Sequence, residues 1–308
     1  MKTLPIATYD AFSATAFGGS QAAVLTDAAN IDRDTRQRIA REIGMPATAF
    51  VEAYGDDWIQ VQFMSTVMEL PMCGHGSLCL VTHMLESGLM PAGGDIELRL
   101  PRSTARVAVN ECANGRFEVM LDIAPPTFES APADVDDLLA VLGLDAGALA
   151  SQLPLETARG DFVHLVVPLA GLDAMRAIRP DFDGMVRFCH AQGIETIATF
   201  CLETEDPGKT LHVRDFCPAV GVSESAAAGT TNAALSCYLQ RHALLAPDTP
   251  LLDLEAEQGL ELGRPSRIHS RLAIGEDGRI DRLQVGGVAT LVFSGEIQLQ
   301  EENHDASD

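Results

Sequence analysis

Two stretches of the chain repeat one device, a strand-like lead, a glycine turn and an apolar helical segment. In the first, residues 59–63 lead to Glu69 and then to Cys73-Gly74-His75-Gly76-Ser77, which runs into the apolar segment 78–85. In the second, residues 211–216 lead to Glu224-Ser225, then to Ala228-Gly229-Thr230-Thr231-Asn232, which runs into 233–239. Superposing Gly74 on Gly229 sets Cys73 over Ala228 and His75 over Thr230. A strand, a glycine turn and a buried helix converge backbone amides at the positive end of a helix, which suits a carboxylate or another oxyanion. Two such loops, one in each half of a chain, can face each other across one small anionic substrate. The expectation is therefore an anion site in a cleft between the two halves, lined by Cys73, Gly74, His75, Gly229 and Thr230, with Gly76 and Thr231 also binding substrate.

At 308 residues the chain is long enough for two domains with substantial cores. Its longest apolar runs fall far short of a membrane span, and no secretory leader is read at the start, so a cytoplasmic protein without membrane association is expected. The net charge is −23, and Lys2 and Lys209 are the only lysines. Such a surface repels phosphate backbones, which excludes nucleic acid as an expected partner. It also opposes anionic substrates globally, so local amides must supply the attraction. The seven cysteines, at 73, 79, 112, 189, 201, 217 and 237, follow no zinc spacing and form no disulfide framework. No metal site is expected. Most of them read as small core residues, Cys79 and Cys237 within the two apolar helices. Cys73 differs, because it precedes a glycine at a helix start, where the dipole and open amides favour the thiolate.

Along the chain, strands are expected at 5–9, 22–25, 48–53, 58–63, 96–100, 106–109, 117–122, 163–168, 196–202, 251–258, 266–274, 279–285 and 289–292. Helices are expected at 32–43 with Asp32 as cap and Gly44 as stop, from Gly76 to about Gly88, and at 134–142, 172–178, 182–192 and beyond Gly229. Asn114-Gly115 reads as a hairpin turn, Pro125-Pro126 as a boundary, and 301–308 as a frayed acidic tail. Many strands with few helices, arranged twice, indicate an α+β fold with each half wrapping a sheet around one central helix. His83 and His242 read as structural, as do Asp10, Asn232 and Arg264, the last holding a turn.

The ordered set of motifs resembles the PhzF-like (phenazine biosynthesis) isomerases, within the diaminopimelate epimerase and proline racemase fold. It includes Tyr9-Asp10-Ala11-Phe12, Phe17-Gly18-Gly19-Ser20-Gln21, Arg41-Glu42-Ile43-Gly44, Met72-Cys73-Gly74-His75-Gly76, Val213-Arg214-Asp215-Phe216-Cys217-Pro218, Gln258-Gly259 and Val285-Gly286-Gly287, and spans nearly the whole chain. The resemblance implies two pseudo-symmetric domains, each a mostly antiparallel sheet around a central helix. Their limits would be 1–124 with 279–300, and 125–278. It implies one site in the cleft and proton transfer at carbon without metal, nucleotide or pyridoxal cofactor; the partners expected are a small carboxylate substrate and a second copy in a homodimer.

The departures shape the chemistry expected. The family's acid/base glutamate falls on Ala47, and the aspartate that follows its loop glutamate falls on Ser225, although Glu224 remains. Neither alanine nor serine replaces a carboxylate base near neutral pH. The racemase and epimerase relatives place a cysteine at position 73, but their second cysteine falls on Ala228. The reading is thus an isomerase with a single base, Cys73 or His75, acting on a small carboxylate. Glu224 would return the proton, and the amides at Gly74, Gly76, Gly229 and Thr230 would hold developing charge. Ala47 and Ser225 would line the substrate. Two alternatives accompany it: a catalytically silent small-anion binder, and a dehydratase or double-bond isomerase with one cysteine base.

Overall fold

The computed structural model describes residues 2–131, 134–245 and 250–299, so the expected tail at 301–308 lies outside the described residues. The chain sorts into two compact units, one of residues 1–17, 21–119 and 288–308, the other of residues 18–20 and 120–287.

The first unit opens with β1 (Lys2–Ala11) and β2 (Ser20–Leu25), followed by α1 (Arg33–Ile43). The Asp32 side chain accepts a hydrogen bond from the Thr35 amide at 2.9 Å, and Gly44 closes the helix in the left-handed region at φ 73°. β3 (Ala47–Tyr54) runs parallel to β2, and β4 (Trp58–Met64) antiparallel to β3. The short β5 (Glu69–Leu70) folds back on β4 and delivers the chain to α2 (Gly74–Glu86). α2 is apolar nearly all round, with Leu78, Cys79, Leu80, Val81 and Met84 fully buried, as a helix enclosed by a sheet must be. It packs against β1 and β3. β6 (Gly94–Arg99) and β7 (Thr104–Glu111) form an antiparallel pair, and Cys112 to Arg116 close a turn with Gly115 at φ 76° before β8 (Phe117–Ile123). A second core gathers Leu4, Ile6, Leu25, Ile39, Phe50 and Met64 under α1.

The second unit contains β9 (Thr127–Ser130), α3 (Val135–Leu142), β10 (Glu156–Arg159), β11 (Val163–Pro168), α4 (Leu172–Ala177), α5 (Phe182–Gln192), β12 (Thr196–Cys201) and β13 (Leu211–Cys217). β14 (Val222–Ser225), α6 (Gly229–Arg241), β15 (Leu251–Gln258), β16 (Ser266–Ile274) and the first part of β17 (Ile280–Leu299) complete it, β17 belonging to the first unit from residue 288 onward. β11 and β12 pair in parallel, β12 and β13 antiparallel, and β13 pairs with both β14 and β15. One face of this sheet meets α3, α4 and α5 in a core of Leu138, Leu165, Met175, Met185, Ile197 and Phe216. α6 contacts β11 and β16.

One expectation changes. Residues 279–285 and 289–292 belong to one strand, β17, rather than two. Gly286 and Gly287 do not interrupt it, because β16 pairs with it as far as Gly286 and β1 takes over from Ala289. The short strands β5, β9, β10 and β14 carry too few apolar residues to announce themselves in sequence. Among the described residues, no helix is long and apolar enough to cross a membrane.

Candidate functional site

Cys73 is the N-cap of α2, with extended backbone (φ −143°, ψ 106°). Its sulfur accepts a hydrogen bond from the Gly76 amide at 3.4 Å, and its carbonyl accepts one from the Ser77 hydroxyl at 2.8 Å. The His75 ring turns back to the same sulfur, with Nδ1 at 3.6 Å and Nε2 at 3.7 Å from Sγ. Gly76 is sterically fixed, since a Cβ there would lie 2.9 Å from Cys73 Sγ and 3.0 Å from Phe63 Cε1. Gly74 is exposed, with open space where its Cβ would be. The loop therefore presents the Gly74 edge outward and keeps the thiol inward.

Burial decides the protonation of this pair. Cys73 is 6% exposed, and desolvation pushes its thiol up to about 12 against the smaller opposing pull of the Gly76 amide. The same cause pushes the His75 imidazole down to about 4, although that residue keeps a partly exposed edge. Burial thus opposes the thiolate that the helix start favours. A helix N-terminus is worth about 0.3–1 kcal/mol, less than the penalty of burying a thiolate in this pocket. Burial thus disfavours the charged form of both groups, the thiolate of Cys73 and the imidazolium of His75.

The second loop is built differently. Ala228 is the N-cap of α6 and gives no side-chain cap, so the first-turn amides are left without one. The loop is stapled by Gln258, whose Oε1 accepts from the Ala228 amide at 3.4 Å and from Asn232 Nδ2 at 2.8 Å. Its Nε2 donates to the Ser225 carbonyl at 2.8 Å. Thr230 keeps partial exposure beside a hollow lined also by Pro126, Gly160, Phe162, His164 and Ala234, whereas Thr231 is fully buried. Ser225 is spent locally, donating to the Ala227 carbonyl at 3.2 Å.

Glu224 does not stand open to the loop. Arg214 on β13 grips both of its oxygens, Nε to Oε1 at 2.8 Å and Nη2 to Oε2 at 2.9 Å, and the Glu224 side chain is only 5% exposed. Returning a proton would require that pair to open. Ala47, at the start of β3, is completely buried. Within the first unit the structure thus brings Cys73, Gly74, His75 and Gly76 together. Within the second it gathers Glu224, Ser225, Gly229, Thr230 and Thr231 around the start of α6.

The remaining candidates are structural. The Asp10 carboxylate accepts from the Phe17 amide at 2.6 Å and steadies that residue at φ 72°. Asn232 Nδ2 also donates to the Ala228 carbonyl at 2.9 Å. Arg264 holds the glycine turn, Nε donating to the Gly19 carbonyl at 2.9 Å and Nη2 to that of Gly18 at 2.5 Å. His83 lies 3.3 Å from the Tyr9 hydroxyl, and His242 2.9 Å from Glu156. Sequence reasoning missed Arg214, Gln258 and Asp215 as parts of this region. Their signal was a polar residue inside an apolar strand, which marks burial with a purpose.

With this geometry in view, the comparison with known proteins is direct. The family model for phenazine biosynthesis-like proteins matches residues 9–295. The chain belongs to that family. It is 29% identical over 281 residues to the trans-2,3-dihydro-3-hydroxyanthranilate isomerase of Pseudomonas aeruginosa, covering 90% of this chain and 93% of the relative. A phenazine biosynthesis protein of the PhzF family from Bacillus anthracis superposes with a TM-score of 0.88 at 23% identity, covering 97% of this chain and all of that one. A hydroxyproline epimerase from Agrobacterium vitis, with bound trans-4-hydroxy-L-proline, reaches 0.59 at 12% identity over 96% of this chain and 91% of its own. The fold is that of PhzF-like and proline racemase-like proteins. Family membership places the chain among isomerases.

Proposed function

We propose that this enzyme is a cofactor-independent isomerase or epimerase that moves a proton on a small carboxylate-bearing metabolite. The observation that carries the reading is the Cys73 sulfur set 3.6 and 3.7 Å from the two ring nitrogens of His75 at a helix N-cap. In the proposed step, His75 accepts the thiol proton, the thiolate sulfur takes a proton from a carbon next to the substrate carboxylate, and the pair returns a proton to carbon. Burial disfavours the charged forms of both thiol and imidazole, so substrate must supply the drive, by excluding water and placing its own charge nearby. The uncapped first turn of α6 supports a carboxylate-holding role for the amides of Gly229 and Thr230. Both units carry a 13-residue central helix behind a glycine-led loop, which supports reading them as pseudo-symmetric repeats.

The test is solvent exchange. A panel of amino acids and enoic acids in deuterated buffer is followed by NMR, and at least one should gain deuterium at carbon only with enzyme present. Cys73→Ser should slow that exchange roughly a hundredfold or more, the scale for losing a positioned base. The same substrate should shift the amides of Gly229 and Thr230 at the start of α6. Binding without any exchange would support the silent anion binder instead, a reading favoured by the burial of Cys73.

A further inference from the structure

Asp215 is a buried acid that the proposed mechanism does not use. It lies on β13, 2% exposed, directly opposite Ser225 of β14 and Ala198 of β12. Directly opposed residues in such ladders share a face with Cβ atoms about 4.5–5.5 Å apart. Its carboxyl faces the hydroxyls of Thr196 and of Thr231, the third residue of α6. Hydrogen bonding from those hydroxyls favours the ionised form, yet Asp215 Oδ1 and Thr231 Oγ1 each lack a partner within hydrogen-bond geometry. With Oδ1 left unpartnered, the buried carboxyl is not fully satisfied as a charge.

We infer that Asp215 is a proton-holding positioning residue. Set behind the first turn of α6, it must be uncharged for the amides of that turn to hold an anion at full strength, so anion binding there takes up a proton. This rests on the proposed anion-holding role of Gly229 and Thr230.

The charges around Asp215 leave it as the group free to respond. Glu224 on β14 is already matched by Arg214, and no described cation pairs with Asp215 itself. His164 on β11 reaches the region through Thr196, 2.6 Å from its Nδ1, and burial pushes it down to about 4, so it stays neutral. Cys217 on the same strand is pushed above the range in which a thiol ionises, chiefly by burial. His212, further along β13, is matched by Glu257 and Glu261. Burial raises Asp215 to about 7, with Glu224 adding to the rise and the two threonines opposing it. Protonation therefore changes near neutrality, where it can matter.

The size of the coupling follows from distance. Thr231 is within one helical turn, about 5.4 Å, of the first-turn amides. Two like charges about 7 Å apart at an effective dielectric near 20 change a binding equilibrium by roughly 50-fold. Linkage is reciprocal, so a bound anion must raise the pKa of Asp215 by a matching amount.

Sulfate is a suitable probe, since it does not titrate between pH 6 and 8.5. The full chain is titrated with sodium sulfate at fixed ionic strength, calorimetrically in two buffers of different ionisation enthalpy, while NMR follows the Gly229 and Thr230 amides. The expected result is binding that weakens at least tenfold from pH 6 to 8.5, with proton uptake at the upper end. Asp215→Asn should bind with an affinity that no longer varies with pH. In the unaltered protein the Asp215 carboxyl carbon should titrate at a higher pH with sulfate than without, a readout that does not depend on the variant folding. Binding at those amides that is independent of pH, or a dependence that survives Asp215→Asn, overturns the inference and leaves the anion site standing. No shift of those amides at any pH, in either protein, removes the anion site and the inference together.

Discussion

Gly74 and Gly76 flank His75 at the start of α2, yet they answer to different constraints. A Cβ on Gly76 would press on Cys73 Sγ and on the Phe63 ring, so Gly76→Ala should destabilise the protein by about 1–3 kcal/mol in chemical denaturation. Gly74→Ala meets nothing and should change stability by no more than about 0.5 kcal/mol. Equal costs at the two positions would mean the thiol is not packed as described. The cysteines give a second contrast. Cys73 is buried with its thiol held up to about 12, whereas Cys112, in the turn after β7, is the one described cysteine that is not buried. Iodoacetamide at pH 7.5 should therefore label Cys112 first and Cys73 slowly, as mass spectrometry of tryptic peptides would show. Sequence alone pointed the other way, because a helix start is visible in a string of residues and the depth at which it is buried is not.

β13 concentrates what the apolar pattern conceals. His212, Arg214 and Asp215 are all nearly buried on one seven-residue strand. The His212 ring is held between Glu257 at 2.7 Å and Glu261 at 2.9 Å. Burial lowers its pKa, but the hydrogen bonds and charges of the two glutamates outweigh that and leave it raised. A histidine raised above its unfolded value of about 6.5 adds stability that is fully present below that pH and is lost as pH rises through the folded value. Denaturant unfolding should show stability declining from about pH 6.5 upward, and His212→Gln should flatten that decline. Removing the ring also leaves two carboxylates without their cation, a cost of about 3–5 kcal/mol below pH 6.5. A pH slope unchanged in His212→Gln would show that the ring is not charged in the folded state. The elements themselves were largely legible: the Asp32 cap with the Gly44 stop, both glycine-led helices and the long meander follow from period and punctuation. What escaped was pairing between distant strands, since neither the Arg214–Glu224 grip nor the Gln258 staple leaves a local signature.

The clearest test of how the whole chain departs from its family is to restore the two carboxylates that the resemblance implies, by Ala47→Glu and Ser225→Asp. Each unit has its own core, so each change can be judged where it falls. Ala47 is fully buried on β3 opposite Ala22, which is also fully buried, and a glutamate there would enter packed apolar surroundings without a cation. Ala47→Glu should lower unfolding stability by about 3–5 kcal/mol, in the range of a buried uncompensated charge. Ser225→Asp adds a carboxylate beside Glu224 and directly across the ladder from Asp215, so it should push Asp215 further up and weaken anion binding above pH 7. Two more negative charges matter little globally on a chain already at −23, because beyond a Debye length of about 8 Å exposed charges are largely screened. Their effects are local, and both are unfavourable. Solvent deuterium exchange by the double variant should therefore be no faster than that of the unaltered protein. Faster exchange with stability intact would show that the site still works through the family's carboxylates and that Cys73 and His75 are not its proton-handling pair.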